Sequence, residues 1–154
     1  MQIKVHTSPA LQSWGVAVLR GVVGLVFVAH GLQKAFITGL AAVAGSMNQF
    51  GLPWPMAAAF VATAFEVVGG LALIGGFLTR WAAIPLGIEM LVAAALVHRP
   101  AGFFLPNGYE FALTLLAACA ALTLLGSGAC ALDNVLPMEG RTTGSTTQSA
   151  TKVA

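Results

Sequence analysis

The chain has 154 residues, of which 58% are hydrophobic and only 8% charged, with a mean hydropathy of +0.88. A soluble domain of this size carries roughly 25% charged residues, so the apolar excess points to lipid. A net charge of +2 with no basic run gives no footing for nucleic-acid binding.

Four apolar runs stand out, each approaching the ~20 residues that a spanning helix needs. The first extends from about Trp14 to Phe36 and ends in VAHGLQKAF. A signal peptide would need small residues at a cleavage site where His30 and Lys34 stand, so the run reads as a retained helix. The linker from Thr38 to Trp54 is too long for a tight turn and too apolar for a solvated loop. It either prolongs the first helix by two turns or lies along the membrane surface, with Gly51, Pro53 and Pro55 ending it.

The second run, about Pro55 to Leu78, carries Ala58, Ala62, Glu66 and Gly70 at every fourth position. Such a small-residue stripe lets helices approach closely in a membrane and would turn Glu66 inward. GGFLTR then makes a tight hairpin to the third run, Trp81 to Val97, whose short length Arg80 and His98 extend by reaching for the interface. Pro85 removes a backbone donor one turn before Glu89 and should bend the helix there. HRPAGFFLPNGYE leads on to the fourth run, Tyr109 to Leu125; its Phe103-Phe104 pair either caps the helices or dips into the headgroups, the cap being preferred. Cys119 and Cys130 match no metal or redox spacing and read as small hydrophobes. A membrane domain is therefore expected over residues 1–137 and a disordered, Ser/Thr-rich polar tail over 138–154.

Four spans place both termini and the second loop on one side. That side holds Lys4, Arg20, Arg80, Arg141 and Lys152 against Lys34 and Arg99, so both termini are expected in the cytoplasm.

Ionisable groups within a membrane are expensive and mark functional sites by default. Taking Arg20 and Arg80 as interface markers, Lys34 and Glu66 each lie fourteen residues in, at a depth of ~21 Å. His30 and Glu89 lie ten and nine residues in, near ~14 Å. Two opposite-sign pairings at two depths are the expectation, with helix tilt deciding whether Lys34 or His30 faces Glu66. On the first helix Arg20, Gly24, Phe27, Gly31 and Lys34 share one seam. Structural roles stay open: His30 and Lys34 as caps of the helix end, Glu66 as a helix-locking partner, Glu89 as a neutral acid on a backbone carbonyl. Arg99 and Glu110 are expected to pair at the outer rim.

HGLQK, Glu66 followed by VVGGLALIGGFLTR, then VHRPAGFF, GYEFAL and LLGSGACALD occur in this order from about Leu19 to Asp133. Together they resemble the DoxX family of small bacterial and archaeal membrane proteins. The resemblance implies an all-α, integral membrane four-helix bundle in the bacterial inner membrane, with His98, Arg99, Glu110 and Asp133 as structural or rim residues. It also implies an oxidoreductase subunit that interacts with a quinone and with a soluble or membrane redox partner; a homo-oligomer is compatible. The chain has no haem-attachment motif, cluster-binding cysteine set or dinucleotide fingerprint, so no metal, haem or nucleotide is expected.

Two classes of function follow. In the first, a quinone headgroup lies among helices one to three, His30 and Lys34 donate to its carbonyls, and Glu66 and Glu89 exchange protons as catalytic groups. Phe27, Phe65 and Phe103-Phe104 supply apolar walls. In the second, the protein is a non-catalytic scaffold or small-solute carrier whose buried ion pairs fix helix register.

Overall fold

The computed structural model describes residues 8–136, which are all-helical with no strand. The expected polar tail and the charges of Lys4, Arg141 and Lys152 lie outside the described residues.

Helix α1, Pro9–Leu32, starts where Ser8 accepts a hydrogen bond from the Leu11 N–H at 3.3 Å, with Pro9 at the first helical position. It widens into a π-helical stretch, Gln33–Thr38. Gly39, at φ 82° and ψ 139°, then breaks the chain direction in a region open to glycine alone. The linker therefore does not prolong α1 beyond Thr38. It forms a separate helix, α2, Leu40–Gln49, whose Val43 and Ala44 pack on Ala59.

Helix α3 spans Pro55–Gly75, and α4 spans Thr79–Val92 through Pro85. A second π-helical stretch, Ala93–His98, and a short 3₁₀ turn, Arg99–Ala101, continue α4. Helix α5 spans Glu110–Leu125. Helix α1 packs on α3, α3 on α4, α4 on α5, and α5 back on α1, while α2 lies against α3.

Three stretches are long and apolar enough to cross a membrane: Pro9–Thr38, Pro55–Gly75 and Thr79–Ala101. Helix α5 is apolar but shorter, at 16 residues or ~24 Å, against the ~30 Å of a hydrocarbon core. Large apolar side chains point outward, among them Val18, Val22 and Leu25 on α1, Val68 and Leu71 on α3, and Ile88 and Leu91 on α4. Small residues turn inward, an inversion of the soluble pattern that suits a lipid surround.

Close backbone contact explains the α1–α3 pairing. A Cβ added at Gly24 would come within 2.6 Å of the Gly70 carbonyl oxygen, and one at Gly70 within 2.9 Å of the Val28 nitrogen. One added at Gly31 would come within 3.0 Å of both the Glu66 Cβ and the Val67 nitrogen. The buried seam of α1 holds the expected Arg20, Gly24, Phe27 and Gly31 and adds Val23, while Lys34, in the π-helical stretch, is only partly buried. On α3 the buried stripe is Ala59, Thr63, Glu66, Gly69, Gly70 and Leu73, with Ala58 and Ala62 at its half-buried margin. A helical repeat of 3.6 residues rotates a strict fourth-residue row off the contact line.

Arg20 is turned inward beside the turn that follows α3, where a Cβ added at Gly76 would meet its guanidinium. It is 3% exposed, and its Nη2 donates to the carbonyls of Ala129 and Cys130, each at 3.3 Å. The segment after α5 folds back across this end of the helices and supplies those carbonyls. Asp133, on the same segment, accepts from the N–H groups of Leu78 (2.6 Å) and Thr79 (3.1 Å) and so caps α4. Cys119 is buried and Cys130 exposed, both as free thiols.

Candidate functional site

A cavity of about 260 Å³ opens at the other end of the helices, between α1, α2, α4 and α5. Phe27, Met47, Phe50, Met90 and Phe111 provide its apolar walls, and His30, Ser46 and His98 line it as well. At its polar end stand Lys34, Glu66 and Glu89.

The glycine contacts that draw α3 onto α1 bring Glu66 under Lys34. The ammonium Nζ lies 2.8 Å from Glu66 Oε2 and 3.2 Å from Glu89 Oε1. Only the Glu89 contact is aligned as a hydrogen bond. One lysine thus joins three helical segments. Glu66 is 2% exposed, and neither its Oε2 nor Glu89 Oε2 has a hydrogen-bond partner. One cation faces two carboxylates, so the cluster is short of one positive charge or one proton. An ionic group removed from water is tolerated when paired, so this shortfall is the chemical feature of the cavity.

Lys34 with Glu66 is one of the two expected pairings. His30 with Glu89 is not formed: Lys34 takes both carboxylates, and the His30 ring sits 5.9 Å from that of Phe111, tilted by 42°. A uniform α-helical rise would set Lys34 and Glu89 at different depths. Lys34 instead occupies a π-helical stretch, a local widening common at functional sites. Its long stem then reaches two helices from one position.

The other expected residues divide by location. Phe27, 1% exposed, lines the cavity. Phe65 does not: it is 45% exposed, because the position next to Glu66 is turned about 100° around α3. His98 lines the cavity, with its Nδ1 3.0 Å from the Asn107 carbonyl oxygen.

The Arg99–Glu110 rim pair is absent among the described residues. Glu110 Oε1 instead accepts from the Leu105 N–H at 2.8 Å, folding the loop ahead of α5 onto itself. Phe103 and Phe104 lie outside the cavity wall, so they provide none of the expected lining. Phe103 meets Phe104 and Tyr109 edge-on, while Phe104 is 76% exposed; the pair packs its own loop rather than capping the helices. Asp133 lies at the opposite end of α4 from this rim, as that helix's cap.

The unanticipated wall residues are Ser46, Met47 and Phe50 at the end of α2, with Met90 and Phe111. Their signal in the sequence is faint. It consists of one linker too apolar for water and of Met90 next to Glu89.

Comparison with known proteins bears on this arrangement. The DoxX family model matches residues 15–99, a segment that contains Lys34, Glu66 and Glu89. An uncharacterized protein of Haemophilus influenzae is 37% identical over 123 residues, covering 77% of this chain and 88% of its own. A Bacillus subtilis protein, provisionally named oxidoreductase CatD, is 32% identical over 119 residues, covering 77% and 84%. An uncharacterized membrane protein of Mycobacterium tuberculosis is 35% identical over 98 residues, covering 61% and 60%. No solved structure matches the chain significantly. With the family model matching more than half its length and its helices apolar enough to cross a bilayer, the chain belongs to the DoxX family of membrane proteins.

Proposed function

We propose that this protein is the quinone-binding subunit of a membrane-associated oxidoreductase. It would be a four-helix bundle in the bacterial inner membrane, with both termini in the cytoplasm. The observation that carries the reading is an apolar cavity, among helices fit for lipid, that ends in one lysine and two carboxylates. Pockets for small hydrophobic ligands combine apolar walls with a few convergent polar groups in this way. The provisional oxidoreductase name of the Bacillus subtilis relative supports the same direction.

The residues fit such a ligand. Lys34 has three N–H groups, and His30 stands one helical turn away, so both can donate to a carbonyl oxygen. Glu89 has an oxygen without a partner, free to hold or release a proton. Glu66, deeper and closer to the ammonium, keeps Lys34 in place. Phe27 and Phe111 provide flat apolar surface. A bound quinone would supply two-electron, two-proton redox chemistry; its electrons would come from a partner protein, because the chain has no redox motif of its own.

A thermal-shift titration of the purified protein in nanodiscs tests the reading, with a short-chain quinone against wild type and Glu66→Gln. A rise of several degrees in wild type that weakens in the variant supports a quinone pocket beside Glu66. No rise with any quinone, together with a lower melting point for the variant, leaves the cluster as a helix lock. The scaffold reading would then stand, favoured by the bridging of α1, α3 and α4 by one lysine.

A further inference from the structure

We infer that α2 is a lid, hinged at both ends, that admits a ligand to the cavity from the bilayer. The packing of α2 carries the lid; that the ligand is a quinone rests on the reading above. Val43, Ser46, Met47 and Phe50 of α2 form one wall of the cavity. Gly39, at φ 82°, precedes the helix and Gly51, at φ 74°, follows it, and a Cβ added at either would meet nothing within 4 Å. Both joints thus stand in open space, and glycine passes between backbone regions that other residues cannot share. Hinges are a few element-terminal positions of this kind.

The other walls are held more firmly. Helices α1 and α3 meet in backbone contact at Gly24 and Gly70, and Lys34 ties them to α4 through Glu66 and Glu89. Phe27, Leu86 and Leu115 join α1, α4 and α5 in the main apolar core. Helix α2 takes no part in that core: its buried contacts form a separate cluster of Val43, Ala44 and Ala59, with Met47 at the margin. Among the described residues, the hydrogen bonds of α2 stay within the helix and its flanking turns, Ser46 Oγ donating to the Ala42 carbonyl. In lipid, apolar side chains gain little by meeting each other rather than acyl chains. The small cluster under α2 is therefore the contact in this bundle that opens most easily.

The surroundings of α2 set the direction of opening. No charged residue lies between Lys34 and Glu66. The chain on either side of α2 presents Phe36 and Ile37, each 81% exposed, and Trp54, 82% exposed. Side chains of this kind settle in lipid or at its interface. With α2 displaced, the cavity faces acyl chains, and a ligand dissolved in the bilayer reaches Lys34 without crossing water. With α2 returned, Met47 and Phe50 close over it.

The test is double electron–electron resonance on the full chain in nanodiscs, with Cys119→Ala and Cys130→Ser removing the native thiols. Spin labels at Val18→Cys on α1 and Gly45→Cys on α2 report the lid; labels at Val18→Cys and Val68→Cys on α3 report a fixed pair. All three sites are exposed, so the labels displace no core. Without ligand the lid pair is expected to give a distance distribution roughly twice as wide as the fixed pair, since a frozen sample preserves slow open and closed forms. Saturating tetramethyl-p-benzoquinone should narrow the lid pair and leave the fixed pair unchanged. A lid pair as narrow as the fixed pair without ligand overturns the inference, as does one that stays wide when a thermal shift shows the quinone bound. Power saturation of the Gly45→Cys label reads the direction: relaxation by oxygen supports the bilayer route, and relaxation by a water-soluble nickel chelate overturns it. A wide lid pair with no quinone binding supports the lid and overturns the quinone reading instead.

Discussion

Substituting Gly70 by alanine should pry α1 from α3, and the size of the effect follows from the contact geometry. The new Cβ would lie 2.8 Å from the Gly24 carbonyl oxygen and 2.9 Å from the Val28 nitrogen, both of them backbone atoms that cannot rotate aside. Ordinary carbon contacts begin near 3.4 Å, so the helices must separate by roughly half an ångström; overpacking of this kind costs about 1–3 kcal/mol. Alanine is also a better helix former than glycine by up to about 1 kcal/mol, which offsets part of the loss. Gly21→Ala isolates that second effect, because nothing lies within 4 Å of a Cβ added at Gly21. The two variants should therefore differ by about 2 kcal/mol, or ~4–8 °C in Tm for a chain of this length. Thermal melts of wild type, Gly21→Ala and Gly70→Ala in the same nanodiscs make the comparison. If Gly70→Ala melts with or above Gly21→Ala, the α1–α3 contact is not the close backbone crossing described, and the placement of Glu66 under Lys34 loses its cause.

Three other outcomes are expected. Lys34→Met leaves two carboxylates without a cation and should destabilise the protein by about 3 kcal/mol or more, with Glu66→Gln in the same chain restoring part of it; a double-mutant cycle read by thermal melting measures that coupling. Asp133→Ala removes the cap of α4 and should lower stability by about 1 kcal/mol without altering ligand binding at the far end, as paired melting and binding measurements would reveal. In intact cells and inverted vesicles, a membrane-impermeant maleimide should label Cys130 from the cytoplasmic side only, and Cys119 only after denaturation; labelling of Cys130 from outside would reverse the proposed orientation.

Much of this molecule is legible in its sequence because lipid constrains a chain so strongly. A backbone without water must satisfy its own hydrogen bonds, so long apolar runs such as Pro55–Gly75 can only be helices. The expense of buried charge in the same surroundings marks His30, Lys34, Glu66 and Glu89 in the sequence, of which the last three meet in one cluster. Small residues at helical spacing identified the seam through Gly24, Gly31 and Gly70. Other features depended on interactions with no local trace. That Arg20 is buried at its end of the helices depends on the segment beyond α5, which supplies carbonyls more than a hundred residues away. Glu110 reads as a partner for Arg99 until its own loop offers a free N–H. The turn at Gly39 and the π-helical stretches decided that α2 becomes a cavity wall and that one lysine meets two carboxylates. Periodicity records which face of a helix is buried; which groups meet across that face is decided by crossing angles and local widening, which arise only when the helices pack.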